Sequence, residues 1–104
     1  MQVPAIEIDA LRTRLDEGAP LIDVRQPEEY QEAHAAGARL IPLGEVAQRV
    51  DELPREGSVY VICRSGGRSA KAVEYLRANG VDAINVTGGT VAWIEAGAPI
   101  ESGG

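Results

Sequence analysis

Short blocks of hydrophobic residues alternate with polar blocks along the chain, and glycine or proline separates most of them. The shorter apolar blocks are typical of strands, because they end before a helix of ordinary length would. They predict strands at residues 3–6, 21–24, 39–41, 58–62 and 83–86. The block at 58–62 is almost continuously apolar, which is typical of a central strand covered on both faces.

The blocks between these strands predict helices at residues 9–18, 27–37, 44–53, 68–79 and 90–96. Asp9 is the expected N-cap of the first helix, and Pro27 is well placed as the first residue of the second. Strand and helix alternate throughout, and the crossovers are too long for hairpins. The pattern therefore predicts an α/β fold with a mostly parallel sheet of about five strands and helices on both faces.

The length of 104 residues favours one domain spanning 1–104, with residues 100–104 as a flexible tail. Hydrophobic residues make up 44% of the chain and charged residues 25%, as in ordinary globular proteins. No apolar run is long enough for a membrane span, and Met1–Glu7 lacks the features of a signal peptide. A single cysteine forms no internal disulfide and no multi-thiol metal site, so we expect a cytoplasmic protein without metal or cofactor.

The formal net charge of −6 argues against nucleic acid and anionic membranes as partners, since both attract a basic surface. Positive charge is nevertheless concentrated in one short segment, at Arg64, Arg68 and Lys71. We therefore expect this segment to hold a small anion locally, whereas the charge of the whole protein does not attract one.

The only cysteine, Cys63, lies at the start of this basic segment. It follows the predicted strand 58–62 and precedes a predicted helix, so its thiol faces backbone N–H groups and the positive end of that helix. Both features stabilise a thiolate, and we predict that Cys63 is a reactive nucleophile. The alternative is a buried core cysteine that only ends a strand, but such a residue does not require two arginines and two glycines after it.

The residues that follow Cys63 are the candidate substrate-binding loop: Arg64, Ser65, Gly66, Gly67, Arg68 and Ser69. The two glycines permit backbone angles that let the loop curl around a sulfur atom with its N–H groups inward. The two arginines can hold an anion through charge-assisted hydrogen bonds. The two serines add hydroxyl donors, although Ser69 is also suited to cap the helix.

Four residues outside this loop are candidates for supporting roles. Asp23 ends a predicted strand and Arg25 follows it, so the two either pair in a mainly structural role or Arg25 reaches the rim of the site and helps to bind the anion. His34 is expected to stabilise a turn through local backbone rather than to act as a base. Trp93 either forms a wall of the site or, as is commoner for a lone tryptophan, anchors the core.

Four segments, in order along the chain, resemble the motifs of single-domain rhodaneses, a family of sulfurtransferases. They are Leu21-Ile-Asp-Val-Arg25 with Pro27-Glu-Glu-Tyr30, His34-Ala-Ala-Gly-Ala38, Cys63-Arg-Ser-Gly-Gly-Arg-Ser69, and Gly88-Gly-Thr-Val-Ala-Trp93 with Gly97-Ala-Pro99. The resemblance implies a rhodanese-like three-layer domain and a thiosulfate sulfurtransferase. In such an enzyme Cys63 takes sulfur from a small anionic donor such as thiosulfate and carries it as a persulfide. The acceptor is then cyanide or a thiol, including a thiol on another protein.

Two other functions stay open at this point. Related phosphatases and arsenate reductases use a Cys-x5-Arg spacing, whereas Cys63 and Arg68 form Cys-x4-Arg. The tighter loop favours a single sulfur atom over a tetrahedral phosphate or arsenate. The other alternative is a non-catalytic interaction or sensing module, although rhodanese-like domains with that role have lost the cysteine that this chain keeps.

Overall fold

A five-stranded parallel sheet forms the centre of the computed structural model, which describes residues 3–103. The strands are β1 (Ala5–Ile6), β2 (Leu21–Asp23), β3 (His34–Ala35), β4 (Arg39–Leu40), β5 (Ser58–Ile62), β6 (Asp82–Val86) and β7 (Ile100–Glu101). Five of them lie side by side in the order β1, β6, β5, β2, β4, and every neighbouring pair is parallel. The predicted parallel sheet is confirmed, and β5 is its central strand.

Five α-helices connect and cover these strands: α1 (Ile8–Asp16), α2 (Pro27–Glu32), α3 (Val46–Arg49), α4 (Gly67–Ala78) and α5 (Gly89–Glu95). The prediction of Asp9 as an N-cap is wrong. The helix begins at Ile8, which is buried, and Glu7, two residues before Asp9, takes the capping position without a side-chain bond. Asp9 lies instead in the first turn, where its charge still suits the helix dipole. Within residues 3–103, no helix has the length and apolar character to cross a bilayer.

The helix predicted at 44–53 is interrupted, because 3₁₀ turns flank α3 on both sides, at Leu43–Glu45 and Val50–Glu52. Its apolar residues, Leu43, Val46, Val50 and Leu53, all pack on one cluster of the core. Leu43 and Val46 are three residues apart, and so are Val50 and Leu53. This spacing matches the three residues per turn of a 3₁₀ helix. Packing therefore selects the tighter winding at both ends.

Two hydrophobic clusters, one on each face of the sheet, complete the three layers. Side chains alternate along β5, so that Val59 and Val61 join one cluster while Tyr60 and Ile62 join the other. The first cluster contains apolar residues of α3 and α4, and the second contains those of α1 and α5. Helices on both faces were predicted, and this arrangement confirms them.

Residues 100–103, part of the predicted flexible tail, are hydrogen-bonded to the rest of the fold. β7 pairs with β3 in an antiparallel two-stranded sheet. Beyond it, the N–H of Gly103 donates to the carbonyl of Gln31 at 2.7 Å. Backbone hydrogen bonds therefore hold a segment whose composition gave no sign of order. Gly104, the last residue of the predicted tail, lies outside the described residues.

Candidate active site

Cys63 directly follows β5, at the carboxyl end of the central strand, and its side chain is buried with only 1% exposed. The chain then reverses to begin α4, and Gly66 stands at the N-cap with φ 117°. Only glycine adopts this angle without strain, so Gly66 makes the reversal possible. The predicted sequence of strand, loop and helix start is confirmed.

The Cys63 sulfur receives hydrogen bonds from its own loop. The N–H of Gly66 lies 3.1 Å from Sγ, and the Ser69 hydroxyl lies 3.2 Å from it. Burial is the largest single influence on the thiol and raises its pKa. The hydrogen bonds of Ser69, Gly66 and Ser65 together lower the pKa by more than burial raises it. The pKa of Cys63 therefore lies below its ordinary value, as expected for a stabilised thiolate.

The start of α5 holds the outer side of the same loop. Thr90 donates to the carbonyl of Cys63 twice, from its N–H at 2.8 Å and from its hydroxyl at 3.0 Å. The N–H of Val91 donates to the carbonyl of Arg64 at 3.1 Å. Gly89 packs so closely here that a Cβ on it would lie 2.5 Å from the Cys63 carbonyl oxygen. The Gly88-Gly89 pair was the signal in the sequence for this close approach.

Arg68 forms an ion pair that the sequence did not predict. Its two terminal nitrogens bind the two carboxylate oxygens of Glu29 on α2, at 2.7 and 2.9 Å. The hydrogen bond to Arg68 is the main reason that the pKa of Glu29 falls from 4.5 to about 2. The guanidinium of Arg68 is thus fixed beside the loop, and part of its hydrogen-bonding capacity is already used.

Replacing Glu29 with glutamine should destabilise the protein at pH 7 by about 1 kcal/mol. The substitution leaves Arg68 without the negative charge of its partner, in an ion pair whose two side chains are 35% and 32% exposed. The folded-state pKa of Glu29 is depressed, so its contribution is complete above pH 4.5 and is lost as the pH falls through about 2. Urea unfolding of both proteins across this range should show the difference in unfolding free energy shrinking toward low pH. Glu28→Gln is the matched control in the same helical turn, and a Glu29→Gln difference that does not change with pH would contradict this assignment.

Arg64 points into an open cavity of about 310 Å³ beside the loop. The residues lining it are Arg25, Glu29, Glu32, Ala33, Arg64, Thr90, Val91 and Ile94. Arg64 is exposed, and no residue in the described part of the chain accepts a hydrogen bond from its guanidinium. Its charge is therefore available to an anion that enters the cavity.

Residues 7–96 match the family model of the rhodanese-like domain. The chain belongs to this family. A sulfurtransferase of Allochromatium vinosum is 35% identical over 101 residues, which make up 94% of each chain. The crystal structure of a rhodanese-related protein from Thermoplasma volcanium has a TM-score of 0.88 and 34% identity, and the match covers 94% of this chain and 97% of that one.

Parts of longer proteins are also similar to this chain. A thiosulfate sulfurtransferase from Pseudomonas aeruginosa has a TM-score of 0.89 at 28% identity, and the match covers 98% of this chain but 21% of that chain. YrkF of Bacillus subtilis is 39% identical over 94 residues, which are 88% of this chain and 51% of YrkF. The chain therefore spans about half the length of that curated relative.

Asp23 and Arg25 form a buried ion pair at the end of β2 in this rhodanese-like domain. Nε of Arg25 lies 3.1 Å from both carboxylate oxygens, and a terminal nitrogen lies 2.9 Å from Oδ2. The same nitrogen donates to the carbonyl of Ala33 at 2.8 Å. The two residues therefore pair as expected, and Arg25 also lines the cavity beside the loop, where its binding of an anion stays a prediction.

His34 and Trp93 have the structural roles expected of them in the rhodanese-like domain. Nδ1 of His34 lies 2.7 Å from the carbonyl oxygen of Tyr30, and the two rings stack with centroids 3.6 Å apart. The indole N–H of Trp93 donates to the carbonyl of Pro99 at 2.7 Å, and its side chain is buried in the core. The hydrogen bonds to the Cys63 sulfur come from Gly66 and Ser69 and not from these two residues.

Asn85 on β6 is a polar residue of the rhodanese-like domain that the sequence reasoning missed. Its Nδ2 donates to the carbonyl of Gly66 at 3.2 Å, and its Oδ1 accepts a hydrogen bond from the Ser69 hydroxyl. An amide within an otherwise apolar predicted strand was the available signal. Across residues 3–103, no group of three or more His, Cys, Asp or Glu side chains is arranged to hold a metal ion.

Proposed function

We propose that this protein is a sulfurtransferase that carries sulfur on Cys63 as a persulfide. It takes the sulfur from thiosulfate or a similar small anionic donor and passes it to cyanide or a thiol. The observation that carries this proposal is the Cys63 sulfur, buried at the end of β5 and hydrogen-bonded by Gly66 and Ser69. Family membership and a relative named as a sulfurtransferase support it.

The reaction proceeds in two displacements at sulfur. The Cys63 thiolate attacks the outer sulfur of thiosulfate, and the sulfur–sulfur bond of the donor breaks with its electron pair leaving on sulfite. Cys63 then carries a second sulfur with a negative charge. An acceptor such as cyanide attacks that outer sulfur, forms thiocyanate and returns Cys63 to the thiolate. Neither step requires a proton transfer or a redox partner.

The loop supplies what each step needs. The inward N–H groups of residues 65 and 66 stabilise the thiolate before transfer and the charged outer sulfur after it. Arg64 lines the cavity and can bind the sulfonate end of the donor and the departing sulfite. Arg68, already paired with Glu29, acts in this proposal mainly through its charge beside Cys63.

Burial of Cys63 fits a carrier whose reacting atom lies one bond beyond the cysteine. The outer sulfur of a persulfide extends about 2 Å from Sγ, along a bond the length of a disulfide. An acceptor therefore reaches that sulfur without entering the core in which Cys63 is buried. These 104 residues contain one cysteine, so an acceptor thiol lies outside them, on a small molecule or on a protein. A cytoplasmic location stays a prediction.

Intact-mass measurement after incubation with thiosulfate tests the proposal. We expect the protein to gain one sulfur atom, and cyanide should then remove it with release of thiocyanate. Cys63→Ser is the control, since a serine hydroxyl forms no persulfide and the mass should stay unchanged. A wild-type protein that gains no sulfur while Cys63 still reacts with iodoacetamide would contradict the proposal.

A further inference from the structure

Asn85 binds two groups of the Cys63 loop through the two ends of its amide. A carbonyl oxygen is an acceptor, so the Gly66 carbonyl can bond only to the NH₂ end of the Asn85 amide. This contact therefore fixes the orientation of the amide. The oxygen end therefore faces the Ser69 hydroxyl. Asn85 lies on β6, whose backbone pairs with β5, so the strand that carries this side chain is held by the sheet and not by the loop.

The Ser69 hydroxyl has one hydrogen and several acceptors within reach. Sγ of Cys63 lies 3.2 Å from Oγ, and Oδ1 of Asn85 lies closer. The carbonyl of Gly66 is also 3.2 Å away, but its two lone pairs already accept from the amide nitrogen of Asn85 and from the N–H of Ala70. The hydrogen is therefore shared mainly between the sulfur of Cys63 and the oxygen of Asn85.

The state of the sulfur decides which of these two acceptors receives the hydrogen. A thiolate is charged and accepts more strongly than a neutral amide oxygen, so Ser69 then donates to Sγ. A thiol instead donates its own hydrogen to the Ser69 oxygen, and Ser69 donates to Asn85. In a persulfide the inner sulfur has neither a hydrogen nor the negative charge, and Ser69 again donates to Asn85.

We propose that Asn85 is a positioning residue for sulfur transfer, whose Oδ1 competes with the Cys63 thiolate for the hydroxyl hydrogen of Ser69. The part of this inference that concerns the persulfide rests on the proposed function, whereas the competition for the thiolate does not. When Cys63 loads a sulfur, Ser69 recovers its bond to Asn85. Asn85 thereby favours the loaded state over the bare thiolate.

Several charged groups also lie in and around the Cys63 loop, and they must stay unchanged in a test of this competition. They come from α4, α2, the loop and the end of β2: Arg68, Glu29, Arg64, Asp23 and Arg25. Replacing a neutral amide with alanine leaves all of these charges in place. Any change in the ionisation of Cys63 in that variant therefore comes from hydrogen bonding.

The rate of Cys63 alkylation by iodoacetamide, measured against pH, reports this ionisation through the pH at which the rate is half its maximum. Asn85→Ala should lower that midpoint by about half a pH unit, because the thiolate then receives the Ser69 hydrogen without competition. Asn85→Asp should raise it, since aspartate keeps an accepting oxygen and adds a negative charge. A role limited to anchoring Gly66 predicts the same direction for both variants, because both lose the amide donor.

Ser69→Ala provides the second arm of the experiment. In that background Asn85→Ala should no longer move the midpoint, and the upward shift of Asn85→Asp should shrink to the effect of its charge. The proposal is overturned if Asn85→Ala leaves the midpoint unchanged or raises it, or if its shift persists without the Ser69 hydroxyl. Should Asn85→Ala not fold, the midpoint shift caused by Asn85→Asp is compared in the wild-type and Ser69→Ala backgrounds. A shift of equal size in both backgrounds overturns the proposal. Alkylation needs no sulfur donor, so a protein that shows these shifts but takes no sulfur from thiosulfate refutes the proposed function, and only the competition between Asn85 and the Cys63 thiolate then stands.

Discussion

Replacing Gly89 with alanine should destabilise the protein by about 2–5 kcal/mol, from overpacking and a left-handed backbone together, and should prevent sulfur uptake by Cys63. The added Cβ would lie 2.5 Å from the Cys63 carbonyl oxygen and 2.6 Å from the carbonyl carbon and oxygen of Arg64. All three are backbone atoms, so no side-chain rotation relieves the overlap. The loop has to move away from α5, and the hydrogen bonds from Thr90 to Cys63 are then lost.

Gly97→Ala separates the two causes of this effect. Gly97 has a similar backbone angle, φ 73° against 58° at Gly89, but a Cβ there meets nothing within 4 Å. Urea unfolding should show a loss of only about 1 kcal/mol in that variant, from the left-handed angle alone. Mass measurement after thiosulfate treatment should show normal loading of Gly97→Ala and none of Gly89→Ala. Equal losses of stability in the two variants would show that close packing against the loop is unimportant.

Replacing Arg25 with methionine should destabilise the protein by about 3–5 kcal/mol, the usual result of removing one partner of a buried ion pair. Asp23 has no exposed surface, and its carboxylate receives three hydrogen bonds from the Arg25 side chain and one from the Arg25 N–H. Methionine keeps much of the volume of arginine but leaves a buried charge without its partner. The unfolding free energy measured with urea gives the size of the loss.

The double variant Asp23→Asn with Arg25→Met tests whether the unpaired charge is the cause. Asparagine keeps an oxygen that accepts from the backbone N–H of residue 25, which lies 2.9 Å from Oδ1 in the wild-type protein. Because both charges are then absent, the double variant should recover a large part of the stability that Arg25→Met loses. A double variant as unstable as the single one would point instead to the lost bond between Arg25 and the Ala33 carbonyl.

The central elements of the fold could be predicted from local sequence, and the peripheral ones could not. β5 was predicted to the residue, because an apolar run ends at Gly57 on one side and at the basic loop on the other. At the edge of the sheet, residues 3–6 were predicted as a strand but only Ala5–Ile6 pair with β6. The pairing of β3 with β7 joins two-residue segments far apart in the chain, and neither has a periodic pattern of its own.

The same division between local and distant contacts applies to the site. Cys63, Gly66 and Ser69 belong to one short segment, so their meeting could be inferred from the strand, loop and helix that carry them. Glu29 and Asn85 reach the same point from α2 and β6. Their contacts depend on the order of strands in the sheet, which spacing along the sequence does not contain. The position of Glu29 in a first helical turn already explains an acidic residue there, because its charge suits the helix dipole. The sequence therefore gave no reason to expect its bond to Arg68.

The bonds from α5 to the outside of the Cys63 loop have a consequence for how transferable this site is. In a planar trans peptide the C=O and the N–H point in opposite directions. By holding the carbonyl of Arg64 away from the sulfur, Val91 turns the N–H of Ser65 toward it, while Thr90 fixes the preceding carbonyl of Cys63. The seven residues from Cys63 to Ser69, grafted onto another strand and helix, would therefore lack the hydrogen bonds from α5 that orient them. Engineering this chemistry into a new scaffold means moving the glycine turn and the start of α5 together with the loop.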